Sequence, residues 1–186
     1  MGKIGNSNFK PNNTKFPGIY RGLVVDNNDP QQLGRVKVKI YPMLAEVATD
    51  SLPWAVPMYP IVEGAGSGIG YFAVPDINTM VYILFEQGDI YQPVYIGEAP
   101  DGAHGTPSER VTNYPNRKVL KTSSGIVIYI DDTAKKLKVE TAGGIYFEID
   151  DTLKTIDIKH PVVARFFVDS EGNITLTGTT LNLNPV

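Results

Sequence analysis

Hydrophobic and polar positions alternate along most of this chain, in runs of five to seven residues separated by turn-forming clusters. Residues Ile19 to Val25 read as a first strand, closed by Asp26-Asn27-Asn28-Asp29-Pro30, a segment rich in residues that reverse the backbone. In Arg35 to Ile40 the alternation is strict: Val36, Val38 and Ile40 point inward, Arg35, Lys37 and Lys39 outward. Pro42 ends that run because proline has no N–H for a ladder. Met43 to Ser51 reads as a short helix or an irregular loop, and Trp54 to Tyr59 as a strand restricted by Pro53, Pro57 and Pro60. Glu63 to Gly70 is a glycine-rich loop. Thr79 to Glu86 and Gln92 to Gly97 form two further strands around Gln87-Gly88-Asp89. No long helical periodicity separates these strands, so the pattern predicts a small barrel and excludes βαβ units.

From Val119 the pattern repeats itself. Gly125-Ile126-Val127-Ile128-Tyr129-Ile130-Asp131-Asp132-Thr133 returns as Gly144-Ile145-Tyr146-Phe147-Glu148-Ile149-Asp150-Asp151-Thr152, a step of 19 residues. A looser copy runs from Arg165 to Leu176, and the last segment, Ile174 to Asn184, alternates again. Each copy is a strand, a polar turn and a second strand. Such units cannot bury their own apolar faces and stack on neighbours, and an isolated hairpin is marginal in water. The expected remedy is self-association.

These patterns divide the chain into an N-terminal arm at residues 1–17, a barrel at 18–98, a proline- and glycine-containing linker at 99–118 and a repeat region at 119–186. Composition changes this picture little. Of 186 residues 42% are hydrophobic and 20% charged, and Gly (18) and Pro (14) supply many turns. No apolar run is long enough to span a bilayer as a helix, and Met1 to Phe16 lacks the apolar core of a secretory signal, so synthesis in a cytoplasm is expected. The absence of cysteine rules out disulfides and thiolate chemistry. A net charge of −3 argues against a dedicated nucleic-acid binder.

Candidate chemistry is sparse. Gly64, Gly66, Gly68 and Gly70 do not have the spacing of a dinucleotide loop, and no lysine follows as a P-loop requires. The pairs Asp131/Asp132 and Asp150/Asp151 sit where strands must reverse, and read as turn residues rather than calcium ligands. His104 and His160, the two histidines, have no partner at zinc spacing and no nucleophile elbow beside them, so no catalytic group, metal or cofactor is expected. The stripe Arg35, Lys37, Lys39 is the strongest electrostatic feature. It supports an alternative in which the barrel binds single-stranded nucleic acid.

Several segments together resemble a known family: Tyr20-Arg21-Gly22-Leu23-Val24-Val25-Asp26, Asp29-Pro30, Leu33-Gly34-Arg35-Val36-Lys37-Val38, Pro53-Trp54-Ala55, Tyr82 to Asp89, and Gln92 to Gly97. They are similar to the N-terminal OB-fold of central spike proteins from contractile phage tails and the VgrG-like spikes of type VI secretion. The Ile-x-x-x-Ile-Asp-Asp-Thr repeats resemble the entry to those spikes' triple-stranded β-helix. The resemblance implies an all-β fold, an OB-fold barrel followed by an intertwined trimeric β-helix, in a non-enzymatic virion protein of the tail baseplate. It implies a homotrimer with Ile126, Ile128, Ile130, Ile145, Phe147, Ile149 and Val168 along the needle core. Its expected partners are baseplate hub proteins above the barrel, a separate tip protein beyond Val186, and the host envelope as the target pierced; no nucleic acid is expected. Relatives with a lysozyme insert between barrel and needle make a cell-wall hydrolase a third reading, but here only the linker 99–118 occupies that place. The His-x-His metal knot of some relatives is absent.

Overall fold

The computed structural model describes residues 15–62, 64, 68–162 and 164–180. Most of the N-terminal arm, part of the glycine-rich loop and the final residues 181–186 lie outside them, so the expectations for the arm and the chain end do too. The chain separates into two compact units, residues 1–105 and 106–186.

In the first unit, the strands are β1 (Tyr20–Asp26), β2 (Val36–Lys39), β3 (Trp54–Pro57), β4 (Met80–Phe85) and β5 (Pro93–Glu98). They close into a barrel in the order β1-β2-β3-β5-β4. All seams are antiparallel except β3–β5, and the β1–β4 seam, with Tyr20 opposite Ile83, completes the circle. Alternation explains the interior: Val24, Val36, Val38, Ile40, Ala55, Val81, Ile83, Phe85 and Tyr95 form one buried cluster. Gly22 belongs at the closing seam for want of space. A Cβ there would lie 3.0 Å from Ile83 Cγ1 and 3.3 Å from Val38 Cβ.

The segment Asp29 to Arg35 is held by one carboxylate. Asp29 accepts hydrogen bonds from the backbone N–H groups of Gln31, Leu33 and Arg35 at 3.0, 2.9 and 3.3 Å, and from the Arg35 guanidinium. Above all the guanidinium, helped by the N–H donors and opposed by burial, holds this carboxyl well below the usual carboxylate range. Gly34, at φ +78°, then passes beneath Tyr59 and Phe72, and its carbonyl accepts from Tyr95 Oη at 2.7 Å. Burial pushes the Tyr95 phenol up, consistent with a structural donor.

The second unit is a seven-stranded antiparallel sheet: β6 (Arg117–Lys121), β7 (Val127–Asp131), β8 (Lys136–Glu140), β9 (Tyr146–Asp150), β10 (Thr155–Lys159), β11 (Arg165–Val168) and β12 (Ile174–Thr177). Each strand pairs with its sequence neighbours alone. A single chain therefore forms a meander here rather than the coil that a β-helix implies. Asp131/Asp132 and Asp150/Asp151 stand at strand reversals, as their composition suggested: Asp131 accepts from Ala134 N at 2.8 Å and Asp150 from Leu153 N at 2.9 Å. Gly125 and Gly144, at φ +83° and +80°, turn the chain at the opposite ends.

Candidate functional site

Because successive residues of a strand point to opposite faces, the pairing register of the C-terminal sheet sorts its side chains completely. One face carries two cross-strand rows. The first runs Lys118, Ile130, Leu137, Ile149, Ile156, Val168, Ile174; the second runs Leu120, Ile128, Val139, Phe147, Ile158, Phe166, Leu176. Lys118 is the single polar member. Ile126 and Ile145 extend the alternation by one residue beyond β7 and β9.

The opposite face mixes charged side chains with Val119, Val127, Tyr129, Tyr146 and Phe167. Its end row alternates in charge from strand to strand: Arg117, Asp131, Lys136, Asp150. Arg117 reaches Asp131 at 2.7 Å, and Lys136 reaches Asp150 at 2.8 Å. Asp131 has no exposed surface and also accepts from Asn113 Nδ2 at 2.9 Å. The Ala134 N–H leads in lowering its pKa to about 2, with Asn113 and Arg117 adding to it and burial opposing. Lys136 chiefly depresses Asp150, and Arg165 chiefly depresses Asp157, which also accepts from Tyr146 Oη at 2.8 Å. Arg117 stacks on Tyr129, Lys138 on Tyr146 and Arg165 on Phe167. Among the described residues, no buried side-chain polar atom lacks a partner.

Among the described residues of the sheet, the apolar face has no comparable cover. Leu120, Ile126, Ile128, Ile130, Ile145, Ile149, Ile156, Ile158, Ile174 and Leu176 are all exposed, from 36% for Ile156 to 65% for Ile174. Full burial of one such side chain is worth about 1.5–3 kcal/mol, and contiguous apolar patches of this extent mark interfaces on soluble proteins. The seven residues singled out from the sequence, Ile126, Ile128, Ile130, Ile145, Phe147, Ile149 and Val168, all fall on this face. Leu120, Leu137, Val139, Ile156, Ile158, Phe166, Ile174 and Leu176 complete it. The signal for the residues of β8 and β10 was present as alternation in Lys136-Leu137-Lys138-Val139-Glu140 and Thr155-Ile156-Asp157-Ile158-Lys159.

The basic stripe on the barrel is corrected. Val36, Val38 and Ile40 do face inward, but Lys37 is buried, 8% exposed, because the segment between β2 and β3 lies over the outer side of β2. Lys37 Nζ donates to the Asp50 carbonyl at 3.0 Å and Lys39 Nζ to the Ala45 carbonyl at 3.2 Å, while Arg35 is committed to Asp29. Trp54 lies beside both Arg35 and Lys37. These cations serve the fold, and they offer no open stripe for phosphates. Met43 to Ser51, read as a short helix or loop, is a series of turns ending in a 3-10 turn at Thr49–Ser51. Its Met43 and Leu44 pack against the barrel core.

Asp101 receives the backbone N–H and ring Nδ1 of His104, and His160 stands at the β10–β11 reversal. Among the described residues no group of three or more His, Asp or Glu is placed to hold a metal ion.

A closed five-stranded barrel with a parallel β3–β5 seam is an OB-like domain, a class defined by architecture and not by one activity. Residues 20–99 match the family of the Type VI secretion system/phage-baseplate injector OB domain, which spans the barrel from β1 through β5. None of the curated proteins compared with the chain matches it. The barrel is thus similar to the injector domain, and that family suggests a virion or tail-associated location.

Proposed function

We propose that this chain is a structural component of a contractile injection apparatus, the central spike of a baseplate hub, which pierces the host envelope when the tail sheath contracts. One observation carries the proposal. The sheet that follows an injector-type barrel presents two continuous apolar rows to solvent, while its other face is closed by ion pairs. Three copies, each contributing one such sheet, would turn these rows onto a common axis and make a stiff prism with the charge ladder outside. The β-helical needle is this assembled state.

In this reading Ile126, Ile128, Ile130, Ile145, Phe147, Ile149 and Val168 form the axial core together with the row members added above. Hub proteins engage the barrel side, a separate tip protein meets the far end of the sheet, and no chemical step or nucleic acid is involved. The work is mechanical: continuous β-structure resists compression, and buried apolar contacts keep three chains in register.

Light scattering of the purified chain at moderate and at high salt tests this. A trimer that persists in high salt is the expected result, because apolar burial is not screened. A monomer at both salt concentrations overturns it.

A further inference from the structure

The 19-residue recurrence seen in the sequence extends to the bonds that hold the sheet, and it does so at both ends of the strands. Arg117–Asp131 is followed 19 residues on by Lys136–Asp150. The amide of Asp132 donates to the Asn116 carbonyl at 3.2 Å, and that of Asp151 to the Lys135 carbonyl at 3.0 Å. Lys135 and Lys154 take the same left-handed backbone, at φ +53° and +56°. At the opposite end, Thr122 N donates to Ile126 O at 2.9 Å, Thr141 N to Ile145 O at 2.9 Å and His160 N to Ala164 O at 2.8 Å. Thr122 and Thr141 also accept, through Oγ1, from the amides of Ile126 and Ile145 at 3.1 and 3.2 Å. The apolar rows keep the same step, from Ile128 to Phe147 to Phe166 and from Leu137 to Ile156.

A pair of strands, both turns, the cross-strand ion pair and the backbone bond to the preceding unit thus form one transferable block. A single strand is not such a block. Its two ends carry different turn chemistry, and its ion-pair partner belongs to the adjacent strand of the same unit. Stability in arrays of this kind is a sum of unit and nearest-neighbour contributions.

We infer that the C-terminal region is a modular ruler whose length is set in whole 19-residue units. Each unit adds two strands, about 10 Å along the stacking direction at the usual strand spacing. Removing Val127–Ile145 joins Ile126 to Tyr146, brings Arg117 opposite Asp150 and keeps both apolar rows. Duplicating the same segment after Ile145 lengthens the sheet by the same rule. If the chain is a spike, which rests on the preceding proposal, the reach of the point changes in these steps while barrel and faces stay as they are.

The test compares four full chains: the parent, the 19-residue deletion, the 19-residue duplication, and a ten-residue deletion of Lys136–Ile145. The last removes one strand and leaves Asp150 without its lysine. Thermal unfolding, light scattering and small-angle X-ray scattering are measured for each. The duplication is expected to unfold cooperatively, keep the parent's number of copies and gain about 10 Å in its long dimension; the in-phase deletion loses as much. The ten-residue deletion is expected to lose the cooperative transition of the sheet.

Aggregation or unfolding of the duplication, an unchanged length, or a ten-residue deletion as stable as the in-phase one overturns the inference. Because length and cooperativity are read whatever the number of copies, a monomer whose length still moves in unit steps would retain the ruler and remove the spike.

Discussion

The barrel and the C-terminal sheet use the same alternation of apolar and polar residues, yet among the described residues one closes a core on itself and the other leaves an apolar face open. In the barrel, β1 meets β4 and the alternation has an inside: Val24, Val36, Val81 and Ile83 are fully or almost fully buried. In the sheet, β6 and β12 never meet, so residues of the same kind, Ile128 and Ile130 among them, remain on an open surface. Closure, rather than hydrophobicity, separates a barrel with its own core from a sheet with an open apolar face. The polar faces differ in the same sense. The outer side of β2 is covered by the barrel's own connecting segment, which consumes Lys37 and Lys39, whereas the second face of the sheet carries a ladder of cross-strand ion pairs.

The sharpest way to break this comparison is to make the open face polar. Phe147→Asp combined with Ile149→Asp is expected to reduce the proposed trimer to monomers in light scattering and to leave the barrel folded. The same change at a barrel position such as Ile83 would instead unfold the barrel, because a buried unpaired carboxylate has no second chain to escape from.

Acid acts on the other face. The carboxyls of Asp131, Asp150 and Asp157 are all depressed in the folded sheet. Their contribution to stability is therefore complete above the unfolded value of about 3.9 and is lost as pH falls through the folded values. For Asp131 that window runs down to about 2. Circular dichroism melts between pH 6 and 2 are expected to show a flat plateau, then a fall confined to the acidic end. Asp131→Asn is expected to flatten that fall and lower the plateau.

Within the barrel, Gly22→Val forces side-chain atoms into the closing seam beside Ile83 and Val38. A loss of about 1–3 kcal/mol is expected in chemical denaturation, the usual cost of overfilling a packed interior. The smallest effect is a gain. Lys135 holds φ +53°, a conformation that costs an L-residue about 1–2 kcal/mol. Lys135→Gly relieves it, less the entropy glycine loses on folding, for a net stabilisation of about 0.5 kcal/mol. Its backbone carbonyl still accepts from Asp151 N, so the turn itself is unchanged.

What the sequence made legible was whatever depends on periodicity. Val36, Val38 and Ile40 inward, the strand positions, the turn role of the aspartate pairs and the shared face of Ile128, Ile130, Phe147 and Ile149 all follow from a repeat of two. The burial of Lys37 did not, because it is imposed by the carbonyl of Asp50 on a segment with no periodicity of its own. Asp29 was legible as a turn residue, but its grip on Arg35 depends on side-chain geometry across the loop. The charge ladder was hidden for a similar reason. Arg117 and Asp131 are 14 residues apart, and only the register of β6 on β7 makes them neighbours.

The β1–β4 seam has a further consequence, for the order in which the molecule forms. Tyr20 pairs with Ile83, so the barrel cannot close during synthesis until more than sixty intervening residues have emerged. The sheet instead grows hairpin by hairpin from contacts between adjacent strands. Non-local pairing of the first kind is slow and local pairing of the second fast. The barrel is thus the kinetically demanding part of the chain, although it is made first, and the sheet's apolar face is complete as soon as its last strand is laid down.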